Sequence, residues 1–220
     1  MAPAKRKQPK KPKLDVIEGG NGAVEAAIAE IPNHPKTYSR DLPVSGAWFP
    51  GDPVGRRKFI NVTDGRPFAL EAGGTLPEVI QAYETWGRLN SDSSNAILIC
   101  HALTGDSHVS GDSSASHPTK GWWDEIVGPG KAIDTEEHFV VCINVLGGCQ
   151  GSTGPSSLNP VSNRPYGSDF PNITIRDIVR AQAKVADYLG IEQWYAVIGG
   201  SMGGMQVLEW AAMFPDRVPR

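Results

Sequence analysis

Three stretches of this chain, residues 96–100, 139–145 and 195–198, are apolar with almost no alternation. A strand that is apolar at nearly every position is buried on both faces, as in a parallel sheet covered by helices. Ahead of them lie shorter runs at 59–62, 67–71 and 79–86, the first two separated by the turn pair Asp64-Gly65. These predict an antiparallel start to the sheet. Between the second and third apolar runs the period becomes helical. Ile175, Ile178, Val179, Val185, Ala186 and Leu189 form a stripe, Thr174 and Asp177 have capping-box spacing, and Gly190 supplies the stop. A further helical pattern over 204–214 puts Met205, Leu208 and Ala212 on one face. Strand, helix, strand and helix in that order predict a doubly wound α/β sheet.

With 220 residues and 40% hydrophobic content, the chain can bury one substantial core. Its net charge of −3 is unevenly placed. Residues 1–13 hold Lys5, Arg6, Lys7, Lys10, Lys11 and Lys13 and no acid, leaving 15 of the 21 basic residues against all 24 acidic ones in the remainder. Such a tail cannot bury enough apolar surface to offset its ordering entropy. Residues 1–54 are therefore expected to be a basic disordered tail and a weakly ordered leader, with 24–31 compatible with a short helix. Residues 55–220 are expected to form the folded domain. The acidic body offers no basic face for nucleic acid. No apolar run suits a bilayer or a secretory signal, so a cytoplasmic protein is expected. Cys100 and Cys142 lie in apolar runs and should be buried, Cys149 exposed, and the three show no metal spacing.

The chemistry centres on Gly199-Gly200-Ser201-Met202-Gly203, which follows a buried-strand run and precedes a helical one. In a G-x-S-x-G elbow the serine is held in a strained turn with its hydroxyl exposed, making Ser201 the candidate nucleophile. The helix that follows points free N–H groups at the same place, which favours a developing oxyanion. The loop after the first buried strand, His101-Ala102-Leu103-Thr104-Gly105, sits where open α/β sheets bind ligands. The backbone amides of Leu103 and Met202 are the candidate oxyanion donors. His101 reads either as a base or as an organiser of loop backbone. All five histidines (His34, His101, His108, His117, His138) precede Ser201, whereas the hydrolase order places acid and histidine after the serine. Glu209 and Asp216 are the only acids downstream. The glycine cluster lacks the lysine and spacing of a phosphate loop.

Together with HALTGDSH at 101–108, Gly121-Trp122-Trp123-Asp124 and GGCQGSTGPSS at 147–157, the elbow resembles the homoserine O-acetyltransferase family over about residues 46–218. The resemblance implies an α/β-hydrolase-like, mostly parallel sheet with flanking helices, cut short after the elbow helix. It implies that Ser201 takes the acetyl group from acetyl-CoA and passes it to the hydroxyl of L-homoserine, a step of methionine biosynthesis. Acetyl-CoA would be a co-substrate, with no bound cofactor and no metal. Relatives using succinyl-CoA or accepting serine remain alternatives, as do a serine esterase or thioesterase and a non-catalytic fragment. The family's triad acid, histidine, lid and dimer contacts lie beyond the matching region. This chain is therefore expected to be inactive by itself and not to dimerise as the full-length family does. The 147–157 loop borders an acyl or CoA channel or is simply a packed turn, and Trp122 and Trp123 either face a ligand or fill core.

Overall fold

The computed structural model describes residues 16–17, as backbone, and 47–218. Residues 1–15 and 18–46 of the basic tail and leader, with the short helix expected at 24–31, lie outside the described residues, whereas leader residues 47–54 are described and Trp48 N–H donates to Cys149 O at 2.9 Å. The centre is a six-stranded sheet of β1 (Val16–Ile17), β2 (Lys58–Asn61), β3 (Ile80–Trp86), β4 (Ala96–Cys100), β5 (Phe139–Ile143) and β6 (Ala196–Gly199). Their spatial order is β1-β2-β3-β5-β4-β6. The pairings of β1 with β2, β2 with β3 and β3 with β5 are antiparallel, and those of β5 with β4 and β4 with β6 are parallel.

Alternate residues of the central strands serve two cores, which is why their sequences do not alternate. Leu98, Cys100, Val141 and Ile143 join a cluster with Ile178, Val179, Val185, Trp194 and Trp210. Ile97, Ile99, Val140 and Cys142 join a second cluster with Trp86, Val109, Val127 and Ile133. The first face is covered by α1 (Ile175–Leu189) and α2 (Met202–Met213). The opposite face is covered by residues 101–138, which contain no α-helix. That segment is held by side-chain bonds instead. Ser110 Oγ donates to Val127 O at 2.8 Å, and the Asp124 carboxylate accepts from the Gly111 amide at 2.8 Å.

The capping box forms as its spacing predicts. Thr174 Oγ1 accepts from the Asp177 amide, Asp177 accepts from the Thr174 amide, and Gly190 closes α1 in the left-handed conformation. Asp64-Gly65 takes positive φ at both positions, but the turn does not join neighbouring strands of the sheet. On the side away from β1, β2 pairs with β3, while Phe68–Ala69 pairs with Thr75–Leu76 as a separate small ladder. Phe68 and Leu70 of this segment are buried in the first core.

The face of α2 requires a correction. Met205 is 57% and Leu208 73% exposed, and Ala212 is exposed too, whereas Gly203, Gln206 and Trp210 point inward. A glutamine can occupy the buried face because its amide is fully engaged. Gln206 Nε2 donates to His101 O at 3.1 Å, Gln182 Nε2 donates to Gln206 Oε1 at 2.7 Å, and Trp210 Nε1 donates to Gln182 Oε1 at 2.9 Å. A buried polar network with every member paired avoids the desolvation cost of isolated groups. This one ties both helices to the loop that follows β4. The three cysteines are free, with Cys100 and Cys142 buried and Cys149 exposed.

Candidate active site

The strand β6 ends at Gly199 and α2 begins at Met202, so the chain reverses within two residues. Ser201 absorbs the reversal with φ +56° and ψ −125°. Holding a non-glycine residue in such a sparsely populated region costs on the order of 1–3 kcal/mol and turns its side chain away from both neighbouring elements. Ser201 is exposed.

The surrounding glycines have separable roles. A Cβ at Gly199 would stand 2.6 Å from the Gly203 carbonyl carbon and 2.8 Å from Cys100 O. One at Gly203 would penetrate the Cys100 carbonyl and lie 3.2 Å from His101 O. Gly200, by contrast, has open space where its Cβ would be. The outer glycines of the motif let the elbow press against the end of β4, which carries the adjoining loop to the same end of the sheet.

The loop and the helix each leave an amide available. Neither Leu103 N–H nor Met202 N–H donates a hydrogen bond among the described residues. Met202 opens α2, where the first amides of a helix have no intrahelical acceptor and the dipole is positive. Leu103 lies at a turn, 76% exposed.

His101 is the brace of this arrangement. Its Nδ1 lies 2.7 Å from Ala102 O and its Nε2 accepts from the Val145 amide at 3.1 Å, which fixes the neutral Nδ1–H tautomer. Burial lowers its pKa, against smaller opposing contributions from Ala102 and Asp106. With both nitrogens engaged it organises loop backbone and has no lone pair for the Ser201 proton. His138 precedes β5 and packs against Tyr195, at the end of the parallel strands opposite the elbow. Glu209 pairs with Arg176 at 2.6 Å, and Asp216 is exposed in the turn after α2.

The loop at 147–157 spends its hydroxyls internally. Ser152 Oγ accepts from the Ala82 amide at 2.9 Å and donates to Asn144 O, and Thr153 Oγ1 accepts from the Ile80 amide at 2.8 Å. These bonds pair the edge of β3 beyond the end of β5. Trp123 packs on the second core, and the Trp122 indole donates to Asp106 O at 2.9 Å.

A second buried polar centre escaped the sequence reading. Glu84, with no exposed surface, accepts from Ser107 Oγ at 2.8 Å and stands 3.3 Å from His108 Nδ1 and 3.2 Å from His117 Nε2. The signal was an acid in the middle of an otherwise buried strand. A carboxylate and two imidazoles this close suggest a metal site, yet the rings stack with centroids 3.9 Å apart and planes within 7°. Ring-nitrogen lone pairs lie in the ring planes, so two nearly parallel planes cannot aim both at one ion. The cluster instead shares charge. Burial alone would raise the Glu84 carboxyl, but the His108 bond, the close His117 imidazole and the Ser107 hydroxyl outweigh it and hold the carboxyl at about 2. His108 is raised, because its bond to Glu84 and the nearby charges of Glu84 and Asp106 overcome its burial.

The consequence for pH is directional. Glu84 contributes stability that is present above its ordinary value of 4.5 and lost as pH falls toward about 2. Denaturation midpoints are expected to fall less steeply across that window in Glu84→Gln than in the parent. Equal slopes would show that Glu84 is not held ionised by this cluster.

Ser201 thus occupies a strained turn between a parallel strand and a helix, packed through Gly199 and Gly203 against the end of β4. Residues 95–220 match the family model described as alpha/beta hydrolase fold, and the chain belongs to that family. Among curated proteins it is 59% identical over 179 residues to a homoserine O-acetyltransferase of Thermobifida fusca, covering 81% of this chain and 46% of that protein. It is 53% identical over 169 residues to a homoserine O-succinyltransferase of Acidithiobacillus ferrooxidans, covering 77% and 44%. A crystal structure of an esterase superposes with a TM-score of 0.69 at 40% identity, covering 74% of this chain and 45% of that one. The chain thus spans a little under half the length of the curated relatives it matches.

Proposed function

We propose that this chain carries the nucleophile of a homoserine O-acyltransferase, moving an acetyl group from acetyl-CoA to the side-chain hydroxyl of L-homoserine. The observation that supports this most is the strained Ser201 turn at the start of α2, in a sequence 59% identical to a homoserine O-acetyltransferase. Ser201 Oγ attacks the thioester carbonyl, and the negative charge of the tetrahedral adduct falls toward the amides of Leu103 and Met202. The adduct collapses to acyl-Ser201 and CoA thiol. Homoserine oxygen then attacks the acyl carbon, the same amides receive the second oxyanion, and Ser201 regains its proton as the ester leaves. Splitting the transfer this way lets one oxyanion hole serve both steps.

Both steps need a base for the hydroxyl proton. His101 is fully engaged, His108 and His117 are bound around Glu84, and His138 is at the far end of the sheet. In this proposal base and orienting acid belong to the part of the relatives that this chain does not span, and these 220 residues alone turn over far more slowly than the complete polypeptide. Among the described residues no helix is long and apolar enough to cross a membrane.

The acyl donor is the finer question, since relatives named for acetyl and for succinyl transfer both match at over 50% identity. CoA release by the complete polypeptide is expected to require homoserine and to favour acetyl-CoA over succinyl-CoA. Preference for succinyl-CoA would reassign the donor. Equal release without homoserine would favour the esterase reading, which the structural likeness to an esterase keeps in view.

A further inference from the structure

The 101–117 loop leaves β4 against the elbow, where Gly203 packs on the Cys100 and His101 carbonyls, but the loop has no regular structure of its own to hold its shape. Its far side wraps around one carboxylate. Glu84, at the centre of β3, takes the Ser107 hydroxyl at 2.8 Å and contacts both imidazoles of the loop, His108 at 3.3 Å and His117 at 3.2 Å. Ser107 is then fixed from the neighbouring strand end. Its amide donates to Asn144 Oδ1 at 2.8 Å, and Asn144 Nδ2 donates to Ser107 Oγ at 3.0 Å and to Gln150 O at 2.7 Å. Arg57, itself buried, ties in the loop's end by donating to Ser116 O at 3.1 Å and reaches Gln150 Oε1 at 2.8 Å. Burial lowers the Arg57 pKa, and the charge of Glu84 works against that shift. At the near end, His101 fastens the loop to Val145.

We infer that Glu84 is a positioning residue for acyl transfer: through Ser107 and His108 its carboxylate sets the loop that aims the Leu103 amide at the Ser201 adduct. This rests on the elbow assignment made above. An amide that must meet a developing oxyanion acts through a geometry tolerance well under 1 Å, so loosening its support lowers the rate after binding rather than binding itself. A purely structural Glu84 would lower the fraction of folded enzyme and leave each folded site at full speed.

The test uses the complete polypeptide as the parent, Glu84→Gln, Glu84→Asp, Ser107→Ala and Ser201→Ala, with active sites counted by a fluorophosphonate probe. Per titrated site, Glu84→Gln is expected to lower kcat by roughly 10- to 100-fold with the KM for the acyl donor changed less than about threefold. Glu84→Asp, which keeps the charge, should recover part of the loss. Ser107→Ala should fall in the same direction by a smaller factor. An unchanged kcat per titrated site in Glu84→Gln would overturn the inference, as would a change carried by KM alone. Full activity in Ser201→Ala would instead overturn the elbow assignment beneath it, so the two failures are distinguishable.

Discussion

Replacing Ser201 by alanine in the complete polypeptide is expected to lower kcat/KM for acyl transfer by at least about 10³-fold, with the thermal midpoint unchanged or slightly raised. The first half follows from covalent chemistry. Without the hydroxyl there is no acyl-enzyme, and the remaining amides can only polarise a thioester that water or homoserine must attack unaided. The second half follows from the backbone. Ser201 makes no side-chain capping bond to α2 and is exposed, so its removal takes away no packed group. Assays of CoA release beside thermal melts check both halves. Retained turnover would move the nucleophile elsewhere; a large loss of stability would mean that the hydroxyl supports the turn.

The second large effect is steric. Gly203→Ala is expected to prevent soluble expression or to cost more than about 3 kcal/mol, because the new methyl would have to share space with backbone at the end of β4. Backbone cannot swing aside as a side chain does, so relief requires separating α2 from β4. That movement would also break the Gln206 bond to His101 O and with it the buried glutamine relay. Gly200→Ala is the matched control. Its Cβ would meet nothing within 4 Å, and it should shift the midpoint little. Urea denaturation of the two variants separates them. Equal behaviour would show that close approach at Gly203 is not what the motif's last glycine provides.

The sequence revealed features that rest on local rules and concealed those that rest on distant partners. The elbow was legible because a strand-to-helix reversal needs glycine where backbones touch, and Gly199 and Gly203 mark those contacts at fixed spacing. The first helix was legible because its cap is a four-residue motif, Thr174 to Asp177, and its stop is a single glycine. For α2 the apolar residues gave the period but misled about the buried side. Gln206 takes the inner face because Gln182 and His101 O, remote in sequence, supply its partners. The surroundings of Glu84 were hidden for the same reason. Its bonding groups come from 23 to 33 residues downstream, so the acid in a buried strand was visible but which groups, Ser107, His108 and His117, enclose it was not. The second layer over the sheet was read as helical by analogy with alternating units, whereas 101–138 covers it with turns fixed by side chains.

The central claim is that Ser201 carries the acyl group between donor and homoserine. Its most direct test is intact-mass analysis of the complete polypeptide mixed with acetyl-CoA and quenched with acid, followed by peptide mapping. One acetyl group should be found on the peptide holding Ser201, absent from Ser201→Ala and discharged when homoserine is added before the quench. An acetyl group on another residue, or transfer to homoserine in the Ser201→Ala variant, would contradict the account.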